Sequence, residues 1–158
     1  MRIMYLLFSF TIGGTERLVA DICNEMSVRG NEIHLYIVND LISEVMLETL
    51  NKDVKVFLQK RPVGKGKRLT TLWKIARYVE RNRIQAIHCN SLNSPELLLF
   101  SRVLNQRTRI VYTVHGIGQY KTLGEKRIAL RNKMCDLIIG ISDAVAKDII
   151  AAGADKKR

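Results

Sequence analysis

The sequence has 158 residues, 47% of them apolar, which suits one domain with a real core and excludes a disordered chain. Lys and Arg outnumber Asp and Glu by 26 to 15, and the net charge of +11 points to anionic partners: nucleic acid, acidic lipid or phosphorylated small molecules. The three cysteines, Cys23, Cys89 and Cys135, show no CxxC or CxxH spacing, so no metal site is expected and each reads as a small buried hydrophobe in a reducing, cytoplasmic compartment.

The first element is an apolar run at residues 3–8. Extended through Ile12, it is still only about half of the roughly 20 residues a membrane span needs, and it lacks a small-residue cleavage site, so it reads as a strand. Gly13-Gly14-Thr15-Glu16 turns it into a helix over residues 15–29, with Leu18, Val19, Ile22, Cys23 and Met26 on one face and Gly30 as the stop. Residues 33–38 form a second strand, 41–50 a short helix and 54–58 a third strand. A basic loop over 59–68 leads to a helix over 69–82, and residues 83–88 lead into a fourth strand. Ser94-Pro95-Glu96 predicts a capped helix start, with Ser94 as cap and Glu96 facing the dipole, running to Leu104. A fifth strand at 109–115, a helical segment at 120–133, a sixth strand at 136–141 and a last helix from Ser142-Asp143 to Gly153 complete the chain. This alternation predicts an α/β fold: a doubly wound, Rossmann-like parallel sheet in the order 3-2-1-4-5-6.

Ligands of such sheets bind at the carboxyl ends of the strands. The residues that follow the strands are Gly13-Gly14-Thr15, Asn39-Asp40, His88-Cys89-Asn90-Ser91, His115-Gly116-Ile117-Gly118 and Ser142-Asp143. A glycine turn into a helix lets backbone N–H groups approach an anion, although the same turn also serves purely structural ends. His115, beside two glycines at the end of strand five, is placed to meet a phosphate, hydroxyl or carbonyl. His88 has a structural reading of equal standing, and His34, inside strand two, reads as structural or surface. The GxGxxG fingerprint is absent and Glu16 would oppose a pyrophosphate, so an NAD-type Rossmann protein is a weak alternative.

Four segments together resemble the N-terminal half of a family-four retaining glycosyltransferase of GT-B fold: Gly13-Gly14-Thr15-Glu16-Arg17, Ile87-His88-Cys89-Asn90-Ser91, Val111-Tyr112-Thr113-Val114-His115-Gly116, and Cys135 through Asp143. The resemblance spans residues 1–158 as a single acceptor-side domain of a GT-B architecture. It implies that His115 is the catalytic-site histidine approaching the donor sugar. It further implies that Gly13, Gly14, Thr15, Glu16, His88, Asn90, Ser91, Thr113, Gly116 and Ser142 line the donor and substrate cleft. Relatives carry a second domain that holds most of the nucleotide, with an E-x7-E motif; that C-terminal donor domain is the expected partner. No cofactor is expected to bind tightly. The donor would be a UDP- or GDP-sugar, the acceptor a polysaccharide or lipid-linked glycan, and this half alone would be inactive.

Residues 55–83 hold ten basic residues against the single acid Glu80. With Trp73, the residues Lys60, Arg61, Lys65, Lys67, Arg68, Lys74, Arg77 and Arg81 form a candidate membrane-surface element, since anionic headgroups attract basic segments and Trp favours the interface. This predicts a cytoplasmic protein, peripheral on the inner face of the membrane. The low aromatic content, 6%, disfavours single-stranded nucleic acid as the partner. The alternative to an enzyme half is a non-catalytic basic module that docks on a membrane or a partner chain.

Overall fold

The computed structural model describes residues 1–64 and 68–155; Lys65 and Lys67 lie outside the described residues, as does the side chain of Arg68. Six parallel strands, β1 (Arg2–Leu7), β2 (Glu32–Asn39), β3 (Lys55–Arg61), β4 (Ala86–Cys89), β5 (Arg109–Val114) and β6 (Leu137–Gly140), form one sheet in the order 3-2-1-4-5-6. The helices are α1 (Gly14–Val28), α2 (Glu44–Glu48), α3 (Arg68–Arg81), α4 (Leu99–Leu104), α5 (Glu125–Met134) and α6 (Asp143–Ala151). The strand order and the alternation match the sequence prediction.

β1 is central, paired with β2 on one side and β4 on the other. Its side chains alternate between two cores, as the period of two demands. Met4 and Leu6 join Tyr36, Ile87, Ile110, Tyr112 and residues of α3 and α6 on one face. Tyr5 and Leu7 join Ile33, Leu35, Val19 and Cys23 on the other. Among the described residues, no apolar side chain of β4, β5 or β6 joins that second core. There Leu137 and Ile139 are 43% and 36% exposed, while Ile138 between them is buried against the first core.

α1 ends as Gly30 predicts: its φ is +80°, and Asn31 N donates to Met26 O in the left-handed cap. Two expected helices differ. The segment over 94–104 opens with a 3-10 turn, Pro95–Leu98, before α4. Ser94 does not cap it: its backbone is already helical and its hydroxyl donates to Ser91 O at 2.7 Å. Glu96 lies in the first turn as expected, and is in addition buried in ion pairs with Arg127 and Arg131. The segment over 120–133 is likewise split, into a 3-10 turn Lys121–Leu123 and α5, because Gly124 at φ +74° turns the chain between them.

Among the described residues, no helix is long and apolar enough to cross a membrane.

Candidate functional site at the carboxyl edge of the sheet

The strands are parallel, so the loops that follow them share one edge of the sheet, with the β1–α1 turn near its middle. Gly13 is extended and offers no side-chain cap, so the first turn of a 15-residue helix keeps its N–H groups available for an anion. The Glu16 side chain folds back over this turn: a Cβ added to Gly13 would sit 2.5 Å from Glu16 Oε2. At Gly14 an added Cβ would meet nothing within 4 Å. The two glycines therefore differ. Gly13 makes room for a carboxylate of its own helix, and Gly14 is open to its surroundings.

His115 follows β5 directly and is half-buried. Burial lowers its pKa, and the Glu16 carboxylate pulls the other way, which links the β5 end to the α1 turn. Its Nε2 is buried with no hydrogen-bond partner. A buried polar atom left unpaired costs about 1–3 kcal/mol, so it marks a place where a ligand atom would be accommodated favourably. Asn90, at 4% exposure, leaves its Nδ2 unpartnered in the same way at the end of β4.

His88 is tied into the sheet. Its Nε2 lies 2.7 Å from Thr113 Oγ1, and its ring packs at 5.3 Å from Tyr5. Burial, then the neighbouring His115, pushes its pKa down to about 4, so it is neutral at physiological pH. His88 and Thr113 thus form one buried polar pair beneath the edge, with His115 beside it. Cys89 points to the opposite core, as strand alternation requires, and burial pushes its thiol well above the usual range.

The loops are fixed from below. Gly118, at φ +76°, donates its N–H to Asp148 on α6 at 2.8 Å, which anchors the loop carrying His115 and Gly116. Arg131 on α5 donates to Leu92 O and to Glu96 Oε1 at 2.8 Å, which holds the loop carrying Asn90 and Ser91. Its guanidinium also lies 4.9 Å from the centre of the Tyr112 ring. Ser142 caps α6 by accepting from Val145 N at 3.3 Å. Gly140 lets that turn close: a Cβ there would lie 2.5 Å from Ala146 N. Thr15 begins α1 beside Gly14 and is half-buried.

The structure divides the basic stretch. Trp73, 54% exposed, stands on α3 with Lys74, Arg77 and Arg81, and the Arg77 guanidinium lies 5.9 Å from its ring centre. Exposed Phe57 on β3 adjoins them in a shallow groove. Lys60 and Arg61 stand apart from that group, at the end of β3. Arg61 donates from Nε and Nη2 to Asn39 Oδ1 at 3.0 and 2.9 Å. Asn39 and Arg61 form a feature of this edge that strand alternation does not announce.

A model of Glycosyltransferase Family 4 matches residues 12–158. The chain belongs to that family. Three solved structures share the fold of this family-4 chain. Anabaena HepE, in complex with UDP and glucose, is 19% identical with a TM-score of 0.74; 99% of this chain covers 42% of that one. The lipopolysaccharide outer core galactosyltransferase WaaB in its apo form is 13% identical with a TM-score of 0.73, over 99% and 44% of the two chains. Sucrose-phosphate synthase from Thermosynechococcus elongatus is 15% identical with a TM-score of 0.56, over 87% and 42%. At such identities the likeness is one of fold, the Rossmann-like half of a GT-B architecture. The family-4 chain spans less than half the length of each of these proteins. No curated protein matches its sequence significantly.

Proposed function

We propose that this chain is the acceptor-side half of a retaining glycosyltransferase. The full enzyme moves a hexosyl-type sugar from a UDP- or GDP-sugar to a hydroxyl of a polysaccharide or lipid-linked glycan. The bond from the anomeric carbon to the donor phosphate breaks, its electron pair leaves with the nucleoside diphosphate, and the acceptor oxygen takes its place as its hydroxyl proton passes to the departing diphosphate. A second, C-terminal domain supplies most of the nucleotide contacts. Family membership supports transferase chemistry. The observation that carries the site is the buried, unpartnered Nε2 of His115 beside the open first turn of α1. In this reading the amides after Gly13 and Gly14 stabilise the departing diphosphate, and His115 hydrogen-bonds a hydroxyl of the donor sugar. Asn90, Ser91, Thr113, Gly116 and Ser142 shape the cleft, with Thr15 and Glu16 on the acceptor side and His88 behind Thr113. His115→Ala in the two-domain enzyme is expected to cut turnover at least tenfold while its unfolding midpoint stays within error. Wild-type turnover overturns the role.

The exposed Trp73 among the bases of α3 favours a second property, peripheral docking on the inner face of the cytoplasmic membrane. Each basic residue near an anionic surface contributes about 1 kcal/mol. Co-sedimentation with vesicles containing phosphatidylglycerol, lost for neutral vesicles and weakened in Trp73→Ala, is the expected outcome; equal binding to both vesicle types counts against it.

A further inference from the structure

Arg61 is built into the edge of the site by an irregularity in the sheet. Between the pairs Ile37↔Leu58 and Asn39↔Arg61, β2 advances by two residues and β3 by three. The extra residue is accommodated at Lys60, whose φ of +53° is left-handed although it is not glycine. Bulges re-aim side chains beside functional sites, and a non-glycine residue in this region is conformationally strained. Here the bulge brings Arg61 level with Asn39. Asp40 N then donates to Arg61 O at 3.1 Å and closes the register.

The side chain leans inward across the end of β2. Both Nε and Nη2 donate to the 93%-buried Asn39, and the guanidinium carbon lies 5.9 Å from the centre of the Phe8 ring. Phe8 follows β1 on the way to the Gly13-Gly14 turn, and its O accepts from Asn39 N at 2.7 Å. The cation is thus fixed in orientation and carried from the outer strand toward the central one. It nevertheless has no carboxylate: among the described residues Arg61 enters no ion pair, although Asp40 is two residues beyond Val38 on the adjoining strand end. A guanidinium held through one edge by a neutral amide, with an aromatic shelf behind it, keeps remaining N–H groups for a planar oxyanion.

We infer that Arg61, oriented by Asn39 and Phe8, binds an oxyanion, phosphoryl or carboxylate, carried by the acceptor. The inference rests on the reading of this edge as the acceptor side, and it makes the acceptor an acidic or phosphorylated glycan. Without that anion, Arg61 would serve only to join the ends of β2 and β3, a task that needs no uncompensated charge.

The test is titration of the 15N-labelled 158-residue chain, at pH 7 and constant ionic strength, with glucose 1-phosphate, glucuronate and methyl glucoside. The expected result is a saturable shift of the Arg61 Nε–Hε signal and of the Phe8 and Asn39 amides with an anionic sugar, and none with methyl glucoside. Response to glucose 1-phosphate alone assigns a phosphoryl group, to glucuronate alone a carboxylate, and to both a site for either. R61Q is expected to weaken the binding at least tenfold. Absence of any saturable shift at Arg61 in the wild-type chain overturns the inference, as does undiminished binding in folded R61Q; should R61Q fail to fold, the wild-type titration decides alone. Failure of the transferase reading would show separately, in the turnover of the His115 variant, because this titration needs neither donor nor transfer.

Discussion

Glu96 and Arg131 form an ion pair at 2.8 Å with 5% and 0% of their side chains exposed, directly beneath the loop that follows β4. Arg127 adds a second contact to Glu96 Oε1 at 2.8 Å from the surface side. Removing one member of a buried pair leaves the other charged and desolvated, at a cost of about 3–5 kcal/mol, whereas replacing both by apolar groups is often close to neutral. Arg131→Met is therefore expected to lose about 3 kcal/mol or more in urea unfolding. The double variant Arg131→Met, Glu96→Leu should recover much of that loss. Additive losses in the double variant would show that Arg131 stabilises through Leu92 O and Tyr112 and not through Glu96.

The burial of His88, with His115 beside it, makes stability depend on pH. The folded-state pKa of His88 is depressed to about 4, below the unfolded value of 6.5. Below about pH 6.5 the unfolded chain takes up a proton that the folded chain refuses. The stabilisation is thus fully present above that pH and is lost as pH falls through the folded value. The loss reaches roughly 3 kcal/mol by pH 4. His34 is also depressed, chiefly by burial, and contributes in the same direction. Urea unfolding at pH 7 and pH 5 should show a smaller difference for His88→Gln than for the wild-type chain. An unchanged difference would remove His88 as the source.

Three glycines that look alike in sequence should respond differently to one methyl group. Gly140→Ala drives a Cβ against the backbone of Ala146, with 2.5 Å to its N, and overpacking of this kind costs about 1–3 kcal/mol. Gly13→Ala meets only the far end of the Glu16 side chain, which can swing away. Gly14→Ala meets nothing and occupies a helical position, so thermal unfolding should show no loss. If the chain is half of the proposed two-domain transferase, Gly14→Ala is nonetheless expected to reduce transfer, because on that proposal the added methyl stands where the donor approaches. Full activity in Gly14→Ala would mean that the turn is structural only.

The sheet order was legible because each apolar strand is followed by a patterned helix, and right-handed crossovers leave few arrangements for six such units. The places of His88 and His115 followed from where β4 and β5 stop. What could not be read were relations set by tertiary contact. Glu96 has the position of a solvent-facing acid at a helix start, and nothing local to it reveals Arg131 35 residues later. Arg61 reads as one more base in a cationic run; only the bulge at Lys60, invisible to composition, separates it from the α3 group and pairs it with Asn39. The fold-back of Glu16 onto Gly13 is hidden for a similar reason, since it depends on a side-chain rotamer and not on a pattern.

The central place of β1 also sets an order of events during synthesis. The Arg2 N–H donates to Gln85, 83 residues later, and β1 has no second neighbour until β4 is made. One edge of an apolar strand therefore stays unpaired while residues 8–85 emerge. Unpaired edges of this kind recruit other chains, and distant pairings close slowly. Until residues 86–89 are made, the edge of β1 that pairs with β4 has no partner within the sheet.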